Sequence, residues 1–147
     1  MNFGILGEAK IAREHVVPAI LSAGHKVTHV GRRRPGEKTL PTIYGNAIET
    51  DYESLINDPS IDAIYNPLPN HLHVPFSIKA LKSNKHVLCE KPVALNLDEL
   101  TQLENAAKES KAFFYEAFMV RSHPQWHWLK NLDIGMYQSS HFIFSYP

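Results

Sequence analysis

The sequence predicts an α/β fold built on a doubly wound parallel sheet, and three observations carry that prediction. Short apolar or β-branched runs alternate with amphipathic stretches almost throughout, the order expected of strands and crossover helices. Glycine, proline or asparagine marks most of the changes between them. The first apolar run leads directly into Gly7-x-Ala9-x-x-Ala12, small residues at a first strand-to-helix turn.

In chain order, residues 2–6 read as a strand, and the amphipathic stretch that follows ends at Gly24, a helix C-terminal glycine. Pro18 lies inside that stretch and predicts a kink, or a helix start near His15. Residues 26–30 alternate as a second strand, residues 31–36 make a basic turn, and residues 42–44 are read as a short third strand. Asp51 caps a helix through Ile56, closed by Asn57-Asp58-Pro59. A strand at 63–65, a loop at 66–71 and a helix at 74–81 follow, the last with Val74, Ile78 and Leu81 on one face. Residues 86–89 form a short buried strand that stops at Glu90-Lys91-Pro92. Proline restricts the residue before it, so Lys91 is expected at the strand's carboxyl end, where open α/β sheets bind ligands. Asn96 with Glu99 gives a capping-box pattern for a helix buried along Leu97, Leu100, Leu103 and Ala107. A strand at 113–118, a helix at 124–132 and an aromatic alternating strand at 137–146 complete the reading.

The 147 residues suit one domain with its own core. Fifteen basic side chains balance fifteen acidic ones, so no global field draws in nucleic acid or an anionic membrane. No apolar run is long enough to span a bilayer, and the N-terminus carries no signal-peptide pattern. Cys89 is the only cysteine, which rules out an internal disulfide and favours a reducing compartment. A cytoplasmic location is the expectation. Cys89 itself reads as a small buried hydrophobe rather than a nucleophile. His71-x-His73 and His123-x-x-x-His127 mark no third ligand, so no metal is expected.

In the first turn, Gly7 would make the tight bend, Ala9 would let the backbone approach a pyrophosphate, and Ala12 would allow close helix–strand packing. Lys10 and Ile11 continue the same dinucleotide-binding turn. After the second strand the fingerprint calls for a ribose-reading residue. An acid there favours NAD; here Arg32 and Arg33 suit the 2′-phosphate of NADP, with NAD still open. A charged hydrogen bond contributes about 1.5–3 kcal/mol. Glu37 is the nearby acid placed to interfere.

Gly4-Ile5-Leu6-Gly7-x-Ala9-x-Ile11-Ala12, Pro67-Leu68-Pro69-Asn70-His71-x-His73 and Glu90-Lys91-Pro92 together resemble the glucose–fructose oxidoreductase/inositol dehydrogenase (Gfo/Idh/MocA) family. Glu116-Ala117-Phe118-Met119-x-Arg121-x-His123-Pro124-Gln125 resembles its dihydrodiol and xylose dehydrogenase branch. The resemblance implies a Rossmann NAD(P)-binding domain over residues 1–120. Residues 121–147 would then be a linker helix and the first strand of an absent substrate and dimerisation domain. It implies a hydride transfer between nicotinamide and a sugar, polyol or diol carbon, with Lys91 catalytic. Pro67, Leu68, Asn70, His73, Glu90 and Arg121 would line the cofactor, and His123 would lie on the nicotinamide or substrate side. Such enzymes carry a second α/β domain, so the chain reads as truncated and inactive alone, and as a homo-oligomer through the final strand. A non-catalytic NADP-binding or sensing module, and a remnant without activity, are the competing readings.

Overall fold

The computed structural model describes residues 1–133, 135, 136, 138, 139, 141 and 143. Six strands form one parallel sheet in the order β3-β2-β1-β4-β5-β6. They are β1 (Asn2–Leu6), β2 (Lys26–Gly31), β3 (Ile48–Thr50), β4 (Ala63–Asn66), β5 (His86–Cys89) and β6 (Phe114–Glu116). The direction of winding reverses between β1 and β4, and a crevice outside the strand carboxyl ends at that point is where doubly wound sheets bind ligands.

Strand alternation explains the two layers of core. Ile5 of β1 and Tyr65 of β4 join Ala12, Val17, Ile20, Val30 and Tyr44 on one face. Their neighbours Leu6 and Ile64 join Leu55, Ile61, Leu81, Val87 and Leu103 on the other. Successive side chains point to opposite faces, and both faces are covered, so these strands are apolar at nearly every position. The covering helices are α1 (Val17–Ser22), α2 (Tyr52–Asn57), α3 (His73–Lys82) and α4 (Leu97–Glu109).

Pro18 acts earlier than a simple kink. Residues Ala12–Val16 form a π-helical turn, with the Val17 N–H donating to Ala12 O, and α1 follows with Pro18 in its first turn. Proline has no N–H to give and its ring crowds the carbonyl four residues back, which favours the wider turn. Gly24 ends the helix at φ +79°, as expected.

The third strand is not where the sequence placed it. Residues Thr42–Tyr44 form a 3-10 turn, with Tyr44 N–H bonded to Pro41 O at 3.1 Å, and Tyr44 is buried. The strand is Ile48–Thr50, paired with His29, Val30 and Gly31. Its three residues are too few to show a period.

Both caps form. Asp51 accepts the Ser54 N–H at 2.9 Å and the Ser54 hydroxyl at 2.6 Å. Asn96 accepts the Glu99 N–H at 2.9 Å, while Glu99 reaches the Leu95 N–H at 2.9 Å rather than that of the cap residue. The Ser54 hydroxyl and amide hold the Asp51 carboxyl below its usual pKa. A carboxyl depressed in the folded state stabilises above its ordinary pKa, and that contribution fades as pH falls through and below it. Asp51→Ala is therefore expected to lower the melting temperature by on the order of 2–4 °C at pH 7. The gap to the parent chain should close under acid; thermal melts across pH would show a constant gap if the cap were irrelevant.

Gly31 is required by packing rather than by its backbone. A Cβ there would lie 2.9 Å from Tyr52 Cδ1 and 3.2 Å from Leu55 Cδ1. Gly31→Val is expected to destabilise by about 1–3 kcal/mol through overpacking, read from urea unfolding.

The described residues fall into two units, Met1–Ala117 and a smaller one beginning at Phe118. The first contains the whole sheet. The second contains a 3-10 turn, Met119–Ser122, and α5 (Pro124–Lys130). The expected helix 124–132 is thus two residues shorter, and the expected strand 113–118 shrinks to β6. The strand expected at 137–146 falls largely on residues outside the described set. No helix among the described residues is long and apolar enough to cross a membrane.

Candidate functional site

The first turn has the geometry that the glycine pattern called for. Gly7 has φ +84°, a region that L side chains avoid, and its N–H donates to Gly31 O at 2.8 Å. A Cβ at Gly7 would sit 3.2 Å from Leu68 Cδ2, so the turn also approaches the loop after β4 closely. The Arg13 N–H donates to Ala9 O at 3.2 Å, which begins the helical ladder beyond Ala9. N–H groups in the first turn of a helix lack intrahelical partners and suit an anion. Ala12 is fully buried, consistent with its packing role. Lys10 is exposed and pairs loosely with Glu14 at 3.9 Å, while Ile11 is half-buried.

At the end of β2 the two arginines separate. Arg33 is exposed and, with Gly7, Glu8, Arg32, Arg34, Glu37, Lys38 and Tyr52, lines an open cleft of about 460 Å³. Arg32 is buried and spoken for. Its Nη1 meets Glu49 Oε1 at 2.9 Å and donates to Lys38 O, and its Nη2 pairs with Glu8 Oε1. Burial alone would lower the Arg32 pKa, but the bonds to Glu49 and Glu8 more than offset it, so the guanidinium stays charged above its ordinary value. Two carboxylates already hold the Arg32 guanidinium, so Arg33 is the one of these two arginines that stays exposed. Glu37, the nearby acid marked in the sequence, lines the same cleft and pairs with Arg34 at 3.8 Å. Glu8 and Glu49 were missed because an ion pair across strands leaves no local spacing. The Gly36 amide, then Arg32, hold the Glu49 carboxyl below its usual pKa.

The carboxyl ends of β4 and β5 form a second set. Asn66 is fully buried and donates to His73 O at 3.1 Å and Ser77 Oγ at 3.2 Å, while accepting the Leu68 N–H at 3.3 Å. His73 is also buried. Its Nε2 lies 2.7 Å from Leu68 O and its Nδ1 2.8 Å from Pro92 O, tying the 66–68 loop to the end of β5. A ring so enclosed clamps the loop after β4 to the end of β5. Pro67 and Leu68 are buried behind it, and Asn70 is exposed.

Lys91 stands at the end of β5, exposed, with a cis bond to Pro92. Its ammonium makes no ion pair or hydrogen bond among the described residues, whereas its N–H lies 3.3 Å from Glu90 Oε2. The other Glu90 oxygen accepts the Tyr65 hydroxyl at 2.7 Å. Burial and then the Glu90 carboxylate push the Tyr65 phenol well above its ordinary pKa, so it remains a donor. The Glu90 N–H donates to Asn66 O at 3.0 Å, and Glu116 Oε1 accepts the Val93 N–H at 3.1 Å. Tyr65 and Glu116 support this corner, and nothing in their sequence neighbourhood announces it. Burial raises the Cys89 thiol to about 12, which keeps it from serving as a nucleophile.

Arg121 and His123 belong to the second unit. Arg121 is exposed and lines an apolar cleft with Phe118, Val120, Trp126, His127 and Lys130. His123 caps α5, its Nδ1 accepting the Gln125 N–H at 3.2 Å. No group of three or more metal-binding side chains is gathered among the described residues.

Comparison with known proteins agrees with this geometry. A family model described as an oxidoreductase family with an NAD-binding Rossmann fold matches residues 1–118. An uncharacterized oxidoreductase of Rhizobium meliloti is 43% identical over 129 residues, covering 86% of this chain and 39% of its own length. A D-xylose 1-dehydrogenase (NADP(+)) of Haloferax volcanii is 37% identical over 131 residues, covering 84% and 39%. Among solved structures, a 3-ketoreductase from Actinomadura kijaniata in complex with TDP-benzene and NADP superposes with a TM-score of 0.80 at 30% identity. That match covers 88% of this chain and 42% of the other. The chain thus spans about two fifths of the length of the curated relatives it matches. With its strand order, its glycine turn and the family match over residues 1–118, the chain belongs to the Gfo/Idh/MocA oxidoreductase family, of which it contains the NAD-binding Rossmann fold.

Proposed function

We propose that this chain is the cofactor-binding part of an NADP-preferring oxidoreductase. The reaction moves a hydride between nicotinamide and a sugar, polyol or diol carbon. The observation that carries the reading is the juxtaposition, at the carboxyl edge of one sheet, of a glycine turn, a cationic cleft and an exposed lysine whose ammonium has no partner among the described residues. Two relatives whose names or bound ligands include NADP support the choice of nucleotide.

The residues fit such a cofactor. Gly7 leaves room where a side chain would strain the turn, and the first helical turn supplies free N–H donors to a pyrophosphate. Arg33 is exposed in the cleft beside Gly7 and Tyr52, suited to a 2′-phosphate, with Arg34 and Lys38 adding positive charge. Pro67, Leu68 and Asn70 lie in the loop after β4, where Leu68 approaches Gly7, and this loop would line the cofactor. When bound, the nicotinamide supplies the hydride acceptor or donor. The Lys91 ammonium hydrogen-bonds the reacting hydroxyl or carbonyl oxygen and holds or releases its proton. Glu90, fixed by Tyr65 and by its own amide bond to Asn66, keeps the Lys91 backbone in place. A second domain completes the substrate pocket and pairs subunits.

Fluorescence titration of this chain with NADPH and with NADH tests the reading. Tighter binding of NADPH is expected. Binding of neither nucleotide would favour a scaffold or remnant instead.

A further inference from the structure

A buried arginine lines the cleft where a phosphate is expected, yet the terminal nitrogens of Arg32 are already engaged by protein partners. Its terminal nitrogens face Glu8, Glu49 and Lys38 O, and its Nε is buried without a partner. Its backbone N–H is also fixed, donating to Thr50 O at 2.8 Å. A guanidinium so enclosed cannot make the bidentate contact for which arginine is suited.

The partners give Arg32 its meaning. Glu8 directly follows Gly7, so a carboxylate stands in the turn that receives the pyrophosphate, and it lines the same cleft as Arg33, Arg34 and Lys38. Glu49 lies on β3, where it also accepts the Gly36 N–H at 2.7 Å and so pins the loop that displays those cations. Without Arg32 the cations Arg33, Arg34 and Lys38 would be matched in number by the carboxylates Glu8, Glu37 and Glu49. The cleft would then hold no net charge for an anion. Like charges within a few ångströms are costly where solvent screens them poorly.

We propose that Arg32 is a positioning residue, not a phosphate ligand: it cancels the Glu8 carboxylate in the phosphate-binding turn and joins that turn to Glu49 on β3. Arg33 is thereby left to read the 2′-phosphate. This role rests on the dinucleotide reading of the cleft.

Calorimetric titration of the chain with 2′,5′-ADP and with 5′-ADP separates the roles, because the ligands differ only by the 2′-phosphate. Arg33→Ala should weaken 2′,5′-ADP about tenfold, equivalent to about 1.4 kcal/mol, and leave 5′-ADP unchanged. Arg32→Ala should weaken both ligands by a similar factor, and Glu8→Gln added to it should recover most of the loss. That recovery would not follow from a purely structural role for Arg32. Should Arg32→Ala fail to fold, Glu8→Gln alone still decides, since it should tighten both ligands equally. Selective loss of 2′,5′-ADP in Arg32→Ala, no loss of either ligand, or no gain from Glu8→Gln would overturn the proposal. Failure of the unmodified chain to bind either ligand would instead remove the dinucleotide reading, and this inference with it.

Discussion

Lys91→Ala is expected to lower turnover by roughly a hundred- to ten-thousandfold, the usual loss when a positioned acid or base is removed. The assay needs a substrate pocket, which a chimera joining this chain to the remainder of the Haloferax relative would supply. Cofactor affinity should hardly change, because the ammonium is exposed and free among the described residues and no fold contact depends on it. The separation is diagnostic: a rate loss without a binding loss places Lys91 at the reacting atoms. Lys91→Arg should not rescue, since a guanidinium keeps its proton at any working pH. Full turnover in Lys91→Ala would remove the catalytic assignment.

The second large effect is at Arg33. Arg33→Glu removes a charged donor from the cleft and puts a carboxylate in its place. A charged hydrogen bond contributes about 1.5–3 kcal/mol, and repulsion adds to its loss, so NADPH affinity should fall by on the order of a hundredfold or more. NADH lacks the 2′-phosphate, and its binding should change far less. The Arg33 side chain is exposed, so folding should be preserved. Equal losses for the two nucleotides would mean that Arg33 does not read the 2′-phosphate.

What the sequence made legible was mostly local. Gly7, Asp51, Asn96 and Pro18 act within a few residues of themselves, and each left a readable mark at the turn, cap or distortion it causes. The place of Lys91 just beyond the carboxyl end of a strand was legible, because the strand stops at Glu90-Lys91-Pro92 and proline restricts the residue before it. The family blocks added the fold and the cofactor class, which the match over residues 1–118 bears out. Long-range pairing was not legible. The Arg32 run read as a uniform basic turn, yet β3 brings Glu49 beside it and the glycine turn brings Glu8, so Arg32 is engaged while its neighbour Arg33 stays exposed. His73 carried a family position but is consumed by two carbonyls from separate loops. Tyr65 looked like one more strand residue, and only the pairing of β4 with β5 sets its hydroxyl on Glu90. The third strand was misplaced because a buried aromatic in a 3-10 turn and a strand residue look alike in so short a run.

In the proposed reading, the first unit is a nucleotide site tuned to NADP. Titrating the chain with NADPH and NADH, following nucleotide fluorescence, addresses it most directly. Saturable binding of both nucleotides is expected, with NADPH at least about tenfold tighter, as one charged contact to the 2′-phosphate supplies. Tighter NADH would contradict the role given to Arg33, and binding of neither would contradict the claim itself.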